Sequence, residues 1–284
     1  MSRIKRGVDS YCYHKTIQAG AMDLDAFLDR AKGLGFDSVM LDPAWGGPGP
    51  IGDERLARLS GALEARDLYA VPRGTAAEAG FMATDEGREA ALAYYADRIR
   101  AAAHLGSRIV RVVGAVRDYV MPGWDLPAKL PRDEILTRLV GALRELAVKA
   151  EEHRVVLALE NHGDLRCEEM LDVLRAVNSP RLEVHLDVAE MIGFFENPLD
   201  TIEKLLPHTV TVHLQNMKAR KIHGGWDVYV CGPREGWIDL DKVARMIKDQ
   251  HRDIAVFDSA ACQTPEQEAE MVAAYAEYMQ EVFR

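Results

Sequence analysis

The chain has 284 residues, 48% hydrophobic and 28% charged, with 35 Lys+Arg against 45 Asp+Glu for a formal net charge of −10. That mix is ordinary for a globular protein of enzyme size, and the acidic balance gives no global attraction for nucleic-acid backbones or anionic membrane surfaces. Cys12, Cys167, Cys231 and Cys262 lie far apart with no CxxC pair, which argues against a zinc knuckle or a disulfide scaffold. The N-terminal MSRIKRGVDSYCYHK is basic but lacks the apolar stretch of a signal peptide, and no run reaches the roughly 18 apolar residues of a membrane span. The expectation is a soluble, cytoplasmic protein.

Short apolar runs alternate with amphipathic helical patterns along the whole chain. The first run, Ile4–Ser10, precedes a helix that sets Leu24, Phe27, Leu28, Ala31 and Leu34 on one face. Ser38–Asp42 leads to a helix around Glu54–Arg66, and Tyr69–Pro72 to a long helix from about Asp85 to Leu105. Ile109–Val113 is followed by a stripe of Ile135, Leu136, Leu139, Leu143, Leu146 and Ala150. Val155–Glu160, Leu182–Asp187, Val210–Gln215 and Ile254–Asp258 complete the strands, each with a helical pattern after it. Asn197-Pro198 reads as an N-cap with proline at the first helical position, and Thr264-Pro265-Glu266-Gln267 adds the glutamine of a capping box.

Eight such units of about 35 residues suit βα repeats. Alternation alone also permits a doubly wound open sheet, but no GxGxxG follows the first strand and no GxxxxGK[ST] occurs. The eightfold count predicts a single (β/α)8 TIM barrel over residues 1–284.

Functional groups of such barrels sit at the C-terminal ends of the strands. Strand five ends in Glu160, strand six in Asp187, strand seven carries His213 and strand eight ends in Asp258. Side chains alternate along a strand, so Glu160 inward places Leu159 outward, His213 inward places Val212 and Leu214 outward, and Asp258 inward places Phe257 and Ala255 outward. Three carboxylates and an imidazole in one space repel one another unless a cation joins them. This O,O,N,O set suits one divalent metal, Mn²⁺ or Mg²⁺ foremost, with Co²⁺ or Zn²⁺ compatible.

The segments LALENHGD, VHLDVAEM and TVHLQNM, followed by GPREGWIDL, resemble the xylose-isomerase-like superfamily of TIM barrels, which includes sugar phosphate isomerases and epimerases and apurinic-endonuclease-2-like proteins. The opening GVDSYCYH and the segment GLGFDSVML share the resemblance, so it spans nearly the whole chain. It implies one divalent metal on Glu160, Asp187, His213 and Asp258, chelation of a substrate carbonyl and neighbouring hydroxyl, and proton transfer through an ene-diolate. Three departures matter. The family's fourth ligand is commonly Glu, and here it is the shorter Asp258, which weakens a mechanism with two opposed bases. Ketose 3-epimerases of the family carry a substrate-contacting His where this chain has Glu190. The DNA-repair branch needs further histidines, at Glu190 and near Tyr229, and this chain lacks them.

Around the expected site, Gln215 to Trp237 forms a segment of about 23 residues, long enough to be functional if it has no structure of its own. It holds Lys218, Arg220, Lys221, His223 and Arg234, read either as an anion-recognising lid or as a solvated charge run. Arg111, near the end of strand four, either points into the mouth or faces the helices. His14 and Tyr11 follow strand one, and His162 lies two residues beyond Glu160. His185 and Glu183 share the inward parity of Asp187 and are expected to form a deeper polar pair. Trp45, Trp124 and Trp226 fall in loops, as sugar-stacking, loop-packing or oligomer-contact residues.

The function expected is a metal-dependent isomerase or epimerase on a keto-sugar or sugar acid. Its expected site combines Glu160 and Asp258 as catalytic groups with His14, Arg111, His162, Glu190, Lys218, Arg220 and His223 toward a small, possibly anionic carbohydrate. The alternatives are a lyase on the same scaffold (a decarboxylase or dehydratase of a keto sugar acid, or an eliminating deglycosidase) and a non-catalytic subunit. Neither nucleic acid nor membrane is an expected partner, and a homo-oligomer is possible.

Overall fold

The computed structural model describes residues 4–45, 51–74, 84–114, 131–250 and 253–284. Eight parallel strands form the barrel: β1 (Lys5–Asp9), β2 (Ser38–Leu41), β3 (Tyr69–Pro72), β4 (Ile109–Val113), β5 (Val156–Glu160), β6 (Leu182–Asp187), β7 (Thr209–Leu214) and, after an inserted hairpin of β8 (Asn216–Ile222) and β9 (Gly225–Cys231), β10 (Ala255–Asp258). The sheet runs β3-β2-β1-β10-β7-β6-β5-β4. A parallel bridge between Arg73 and Arg111 nearly closes it, with the Gly74 amide donating to the Arg111 carbonyl at 3.0 Å. This is the (β/α)8 architecture that the alternating pattern predicts.

The covering helices are α2 (Leu24–Gly33), α3 (Asp53–Glu64), α4 (Asp85–His104), α5 (Arg132–His153), α6 (Cys167–Val177), α7 (Pro198–Leu205), α8 (Leu240–Asp249) and α9 (Pro265–Val282), with a short α1 (His14–Gln18) after β1. Their starts follow local chemistry. Asn197 accepts from the Leu199 amide with Pro198 in the first turn. Thr264 accepts from the Gln267 amide, while the Gln267 side chain reaches back to the Gln263 amide, one residue short of a true capping box. Among the described residues no helix is long and apolar enough to cross a membrane.

Two apolar layers define which way each side chain points. Val8, Val39, Val112, Leu157, Leu159, Leu186, Val212, Leu214 and Val256 pack with the helices in the main core. Met40, Val71, Ala255 and Phe257, with Tyr69 and Ile109, fill the barrel interior. A methyl group on Gly7 would come within 2.5 Å of the Phe257 ring and of Ser38 Oγ, so a residue without a side chain is needed where Phe257 fills the space.

This corrects the parity expected for the last strand. Phe257 pairs in register with His213 and Gly7, whereas Asp258 pairs with Leu214 and Val8. Neighbours in a parallel register share a face, so Phe257 and Ala255 point inward and Asp258 stands on the alternate parity at the strand's final residue. The 215–237 segment also differs from an unstructured loop. Most of it is an antiparallel hairpin, with Asn216 paired to Cys231 and Ile222 to Gly225.

Candidate metal centre

Parity is as expected on β5, β6 and β7. Leu157 and Leu159 enter the outer core, which turns Glu160 inward, and the same alternation turns His185, Asp187, Thr211 and His213 inward. All of these side chains are buried at the C-terminal end of the barrel.

His213 sits among three carboxylates. Its Nδ1 lies 3.2 Å from Glu160 Oε1 and 3.6 Å from Asp187 Oδ2, and its Nε2 lies 3.3 Å from Asp9 Oδ2. Burial opposes a charged imidazole, but these carboxylates prevail and push its pKa up to about 10. Glu160 is also buried, which disfavours its charge, yet the Arg111 guanidinium paired with it holds its carboxyl well below the usual range. Arg73 does the same for Asp9, with Nε 3.2 Å from Oδ1.

Asp187 is fixed from several sides. Its Oδ1 accepts from the amides of Ala189 at 2.8 Å and Glu190 at 3.1 Å, and its Oδ2 accepts from Gln215 Nε2 at 2.7 Å. Asn161 clamps the same strand end reciprocally, donating to the Asp187 carbonyl and accepting from its amide, both at 2.8 Å.

His185 belongs to this group rather than to an isolated pair with Glu183. Its Nδ1 is 2.6 Å from Thr211 Oγ1, its Nε2 is 3.7 Å from Glu160 Oε1, and its ring stands edge-on to His213 at 4.1 Å. Burial, reinforced by His213, lowers its pKa well below the ordinary value, so it is neutral. Glu160, His185 and His213 each offer a ligand atom within 4.8 Å of the others. Both Glu160 oxygens, His185 Nε2, His213 Nε2 and Asp258 Oδ2 are buried without a hydrogen-bond partner. A divalent cation would take up such oxygens and the His185 nitrogen and would displace the proton that the surrounding carboxylates hold on His213, so the residues fit one.

Asp258 is buried, with Oδ1 accepting from the Ala260 amide at 2.9 Å and its carbonyl accepting from Cys12 Sγ at 3.2 Å. Burial pushes its pKa up to about 7. Arg111 points into the mouth, which decides between its two expected orientations. His14 Nδ1 is 3.0 Å from the Tyr11 carbonyl and 3.2 Å from Glu268 Oε1, at the junction of α1 with α9. The His162 amide donates to Asp164, and its imidazole is close enough to favour the charge on Glu160. Glu190 opens the 3₁₀ turn after β6.

Three basic residues of the 215–237 segment are paired locally: Lys218 with Glu235 at 2.7 Å, Arg220 with Asp227 at 2.8 Å, and Arg234 with Asp241 and Glu281. His223 and Gly224 make the exposed turn. Trp45 packs on Phe27, Trp226 is exposed on the hairpin, and Trp124 lies outside the described residues.

Three groups escape the strand-end reading: Asp9, Arg73 and Asn161. Asp9 had a readable signal. It shares the parity of Gly7, and a glycine inside a strand marks close packing on the inner face.

A family model described as xylose isomerase-like TIM barrel matches residues 28–279. The chain is 27% identical over 128 residues to the 3-oxo-isoapionate decarboxylase of Pectobacterium atrosepticum; the match covers 44% of this chain and 45% of that protein, so it spans less than half of the relative's length. Among solved structures it resembles D-psicose 3-epimerase with D-tagatose from Clostridium cellulolyticum H10 (TM-score 0.77, 15% identity, 99% of this chain and all of that one). It also resembles a xylose isomerase-like TIM barrel protein from Mycobacterium smegmatis in complex with magnesium (TM-score 0.73, 16% identity, 100% and 97% of the two chains). With the family model covering most of its length and an eight-stranded parallel barrel as its fold, the chain belongs to the xylose isomerase-like TIM barrel family.

Proposed function

We propose that this protein is a divalent-metal-dependent isomerase or epimerase of a keto-sugar or sugar acid, acting through an ene-diolate. The observation that carries the reading is the buried Glu160–His185–His213 cluster at the barrel mouth, whose ligand atoms lie within 4.8 Å of one another. Glu160, Asp187 and His213 would hold the ion, and Asp258, on the alternate parity at the end of β10, would complete the set only by turning in from the strand end. Mn²⁺ or Mg²⁺ suits the carboxylates, and Co²⁺ or Zn²⁺ the imidazole. The ion would supply Lewis-acid polarisation of a substrate carbonyl and offset charge developing on its oxygen.

The chain's own groups do the rest. Glu160 is the base, taking a proton from the carbon beside the carbonyl; an isomerase delivers it to the former carbonyl carbon, and an epimerase needs a second group, the role expected of Asp258, to return a proton from the opposite face. Arg111 keeps Glu160 ionised at neutral pH, so the base is available without prior deprotonation. Gln215 holds the Asp187 carboxylate, Asn161 holds its backbone, and His185 packs edge-on against His213, so the cluster is braced before substrate arrives. The reading includes a cytoplasmic enzyme with a small carbohydrate as partner.

A second reading, a lyase on the same centre, is favoured by the decarboxylase relative and by two residues of this chain. Asp258 is a short partner for an opposed base, and Glu190 occupies the position where the epimerases of the family carry a histidine.

Incubating the metal-loaded protein with keto-sugars and keto sugar acids in D₂O separates the readings. Interconversion with deuterium uptake at the carbon beside the carbonyl is the expected result, and Glu160→Gln is expected to slow it ~10²–10⁴-fold. Release of carbon dioxide or water assigns the lyase. Metal bound at the centre with no turnover of any kind contradicts both.

A further inference from the structure

The barrel seam between β3 and β4 carries two arginines side by side. Arg73 shares the inward parity of Tyr69 and Val71, Arg111 shares that of Ile109, and the two backbones meet in the single bridge that closes the described barrel. Both guanidinium groups therefore enter the mouth from one side, opposite the strand ends of β7 and β10. Arg111 is buried and Arg73 nearly so, with the Tyr11 ring 5.6 Å above its guanidinium carbon.

Their partners are unusual. Arg73 touches Asp9 and Arg111 touches Glu160, and each of those carboxylates also touches His213. Arg111 Nη1 donates to the Gly74 carbonyl at 3.2 Å and its Nε is buried without a hydrogen-bond partner, while Arg73 Nε is ion-paired with Asp9 at 3.2 Å without hydrogen-bond geometry. A cation held by the His213 cluster would compete with the arginines for the same oxygens and leave guanidinium N–H groups available to a ligand beside it.

The charge count points the same way. Asp9, Glu160 and Asp187 carry three negative charges, and a divalent ion leaves one of them uncompensated. The two arginines reverse that sign. Counting Asp258 as a further anionic ligand makes the balance −2 without the arginines and zero with them. In either count a carboxylate entering beside the ion meets a net negative centre without the arginines and a neutral or positive one with them, whereas a neutral ketose needs no such compensation. Planar guanidinium forks are also matched to carboxylate geometry in a way that a lysine is not.

We propose that Arg73 and Arg111 form a carboxylate-binding subsite of this centre, so that its substrate is a keto sugar acid rather than a neutral keto-sugar. The inference rests on the metal-centre reading given above, and selects among its substrates.

The test is calorimetric binding to the Mg²⁺-loaded full chain, with metal content measured on the same samples. The probes are pairs that differ in the carboxylate: 5-keto-D-gluconate against L-sorbose, and hydroxypyruvate against hydroxyacetone. The acid of at least one pair is expected to bind about tenfold or more tightly, the scale of a charge-assisted pair of hydrogen bonds. Arg73→Gln is expected to reduce that preference to less than about threefold without changing the metal content. Arg111→Lys keeps the charge beside Glu160 and so the fold, checked by thermal melting, but loses the fork and is expected to weaken the preference as well. No preference in either pair, or a preference that survives both substitutions, overturns the subsite. Wild-type protein that takes up no metal overturns the metal-centre reading, and the subsite falls with it; metal uptake without acid preference overturns the subsite alone.

Discussion

At the scale of single residues, the centre depends on groups that touch no strand-end ligand side chain. Asn161 is the clearest case, because both of its hydrogen bonds go to the Asp187 backbone. Asn161→Ala leaves a buried amide and carbonyl unpaired, at a cost of ~1–3 kcal/mol for each such group, and frees the end of β6 to move. The expected outcome is a lower melting temperature together with a ~10–100-fold loss of metal affinity, the usual effect of removing a group that orients a ligand. Titration of Mn²⁺ into the variant checks it, and wild-type affinity would show that Asp187 needs no such support.

The same scale shows what one sequence reveals. Asp187 and His213 are legible because β6 and β7 alternate between apolar outer and polar inner positions, whereas Glu160 follows an all-apolar run and is marked only by its place at the strand end. On β10 every residue before Asp258 is apolar, so alternation gives no direction, and the clue lies on another strand: Gly7 makes room for Phe257. Arg73 and Asp9 were illegible as partners because their meeting depends on a register between strands far apart in sequence.

At the scale of elements, helix starts read well and the long insertion reads poorly. Asn197-Pro198 and Thr264-Pro265 are local signals, complete within four residues. The hairpin is not. It is held by Asn216, whose side chain donates to the Pro233 and Ile238 carbonyls and accepts from the Met217 and Ile238 amides, contacts that a linear reading does not join. Lys218, Arg220 and Arg234, read from sequence as part of one basic cluster, separate into ion pairs because acidic partners lie at Asp227, Glu235, Asp241 and Glu281.

Arg132 is another inter-element device. It begins α5 and grips Glu169 in the first turn of α6, while also donating to the Asp164 carbonyl at 2.9 Å. Partial burial raises the proton affinity of Glu169, but Arg132 and the Arg166 amide overcome it and hold its carboxyl below the ordinary value. A depressed folded-state pKa contributes stability above the unfolded-state value, and that contribution is lost as pH falls through the folded-state value. Arg132→Ala is therefore expected to lower the melting temperature at neutral pH and to flatten its decline below about pH 4.3, the ordinary glutamate value. Equal acid sensitivity in variant and wild type would remove Glu169 from the account.

At the scale of the whole molecule, eight alternations were enough to reveal the barrel, because each βα unit buries its own stripe against a strand that is apolar on its outer face. Nothing local says where the barrel closes. The β3–β4 seam, with one bridge, is the weakest-paired junction of the described sheet, and it is where both inward arginines stand. The polar end of the barrel thus divides into a side of carboxylates and imidazoles on β5 to β7 and a side of guanidinium groups on β3 and β4, with Asp9 between them. Such a division suits a substrate held at two points, one by a cation and one by its own charge.

The central claim is that the Glu160–Asp187–His213 end of the barrel holds a divalent ion. Metal analysis of wild type and Asp187→Ala after loading and dialysis, with thermal melts before and after chelator, tests it most directly. The account predicts about one ion per chain in the wild type, absent from the variant, with chelator removing ~2.7 kcal/mol of stability when free metal stood a hundredfold above Kd. A wild type that retains no ion and melts at the same temperature with or without chelator would contradict it, as would a variant that binds metal as tightly as the parent.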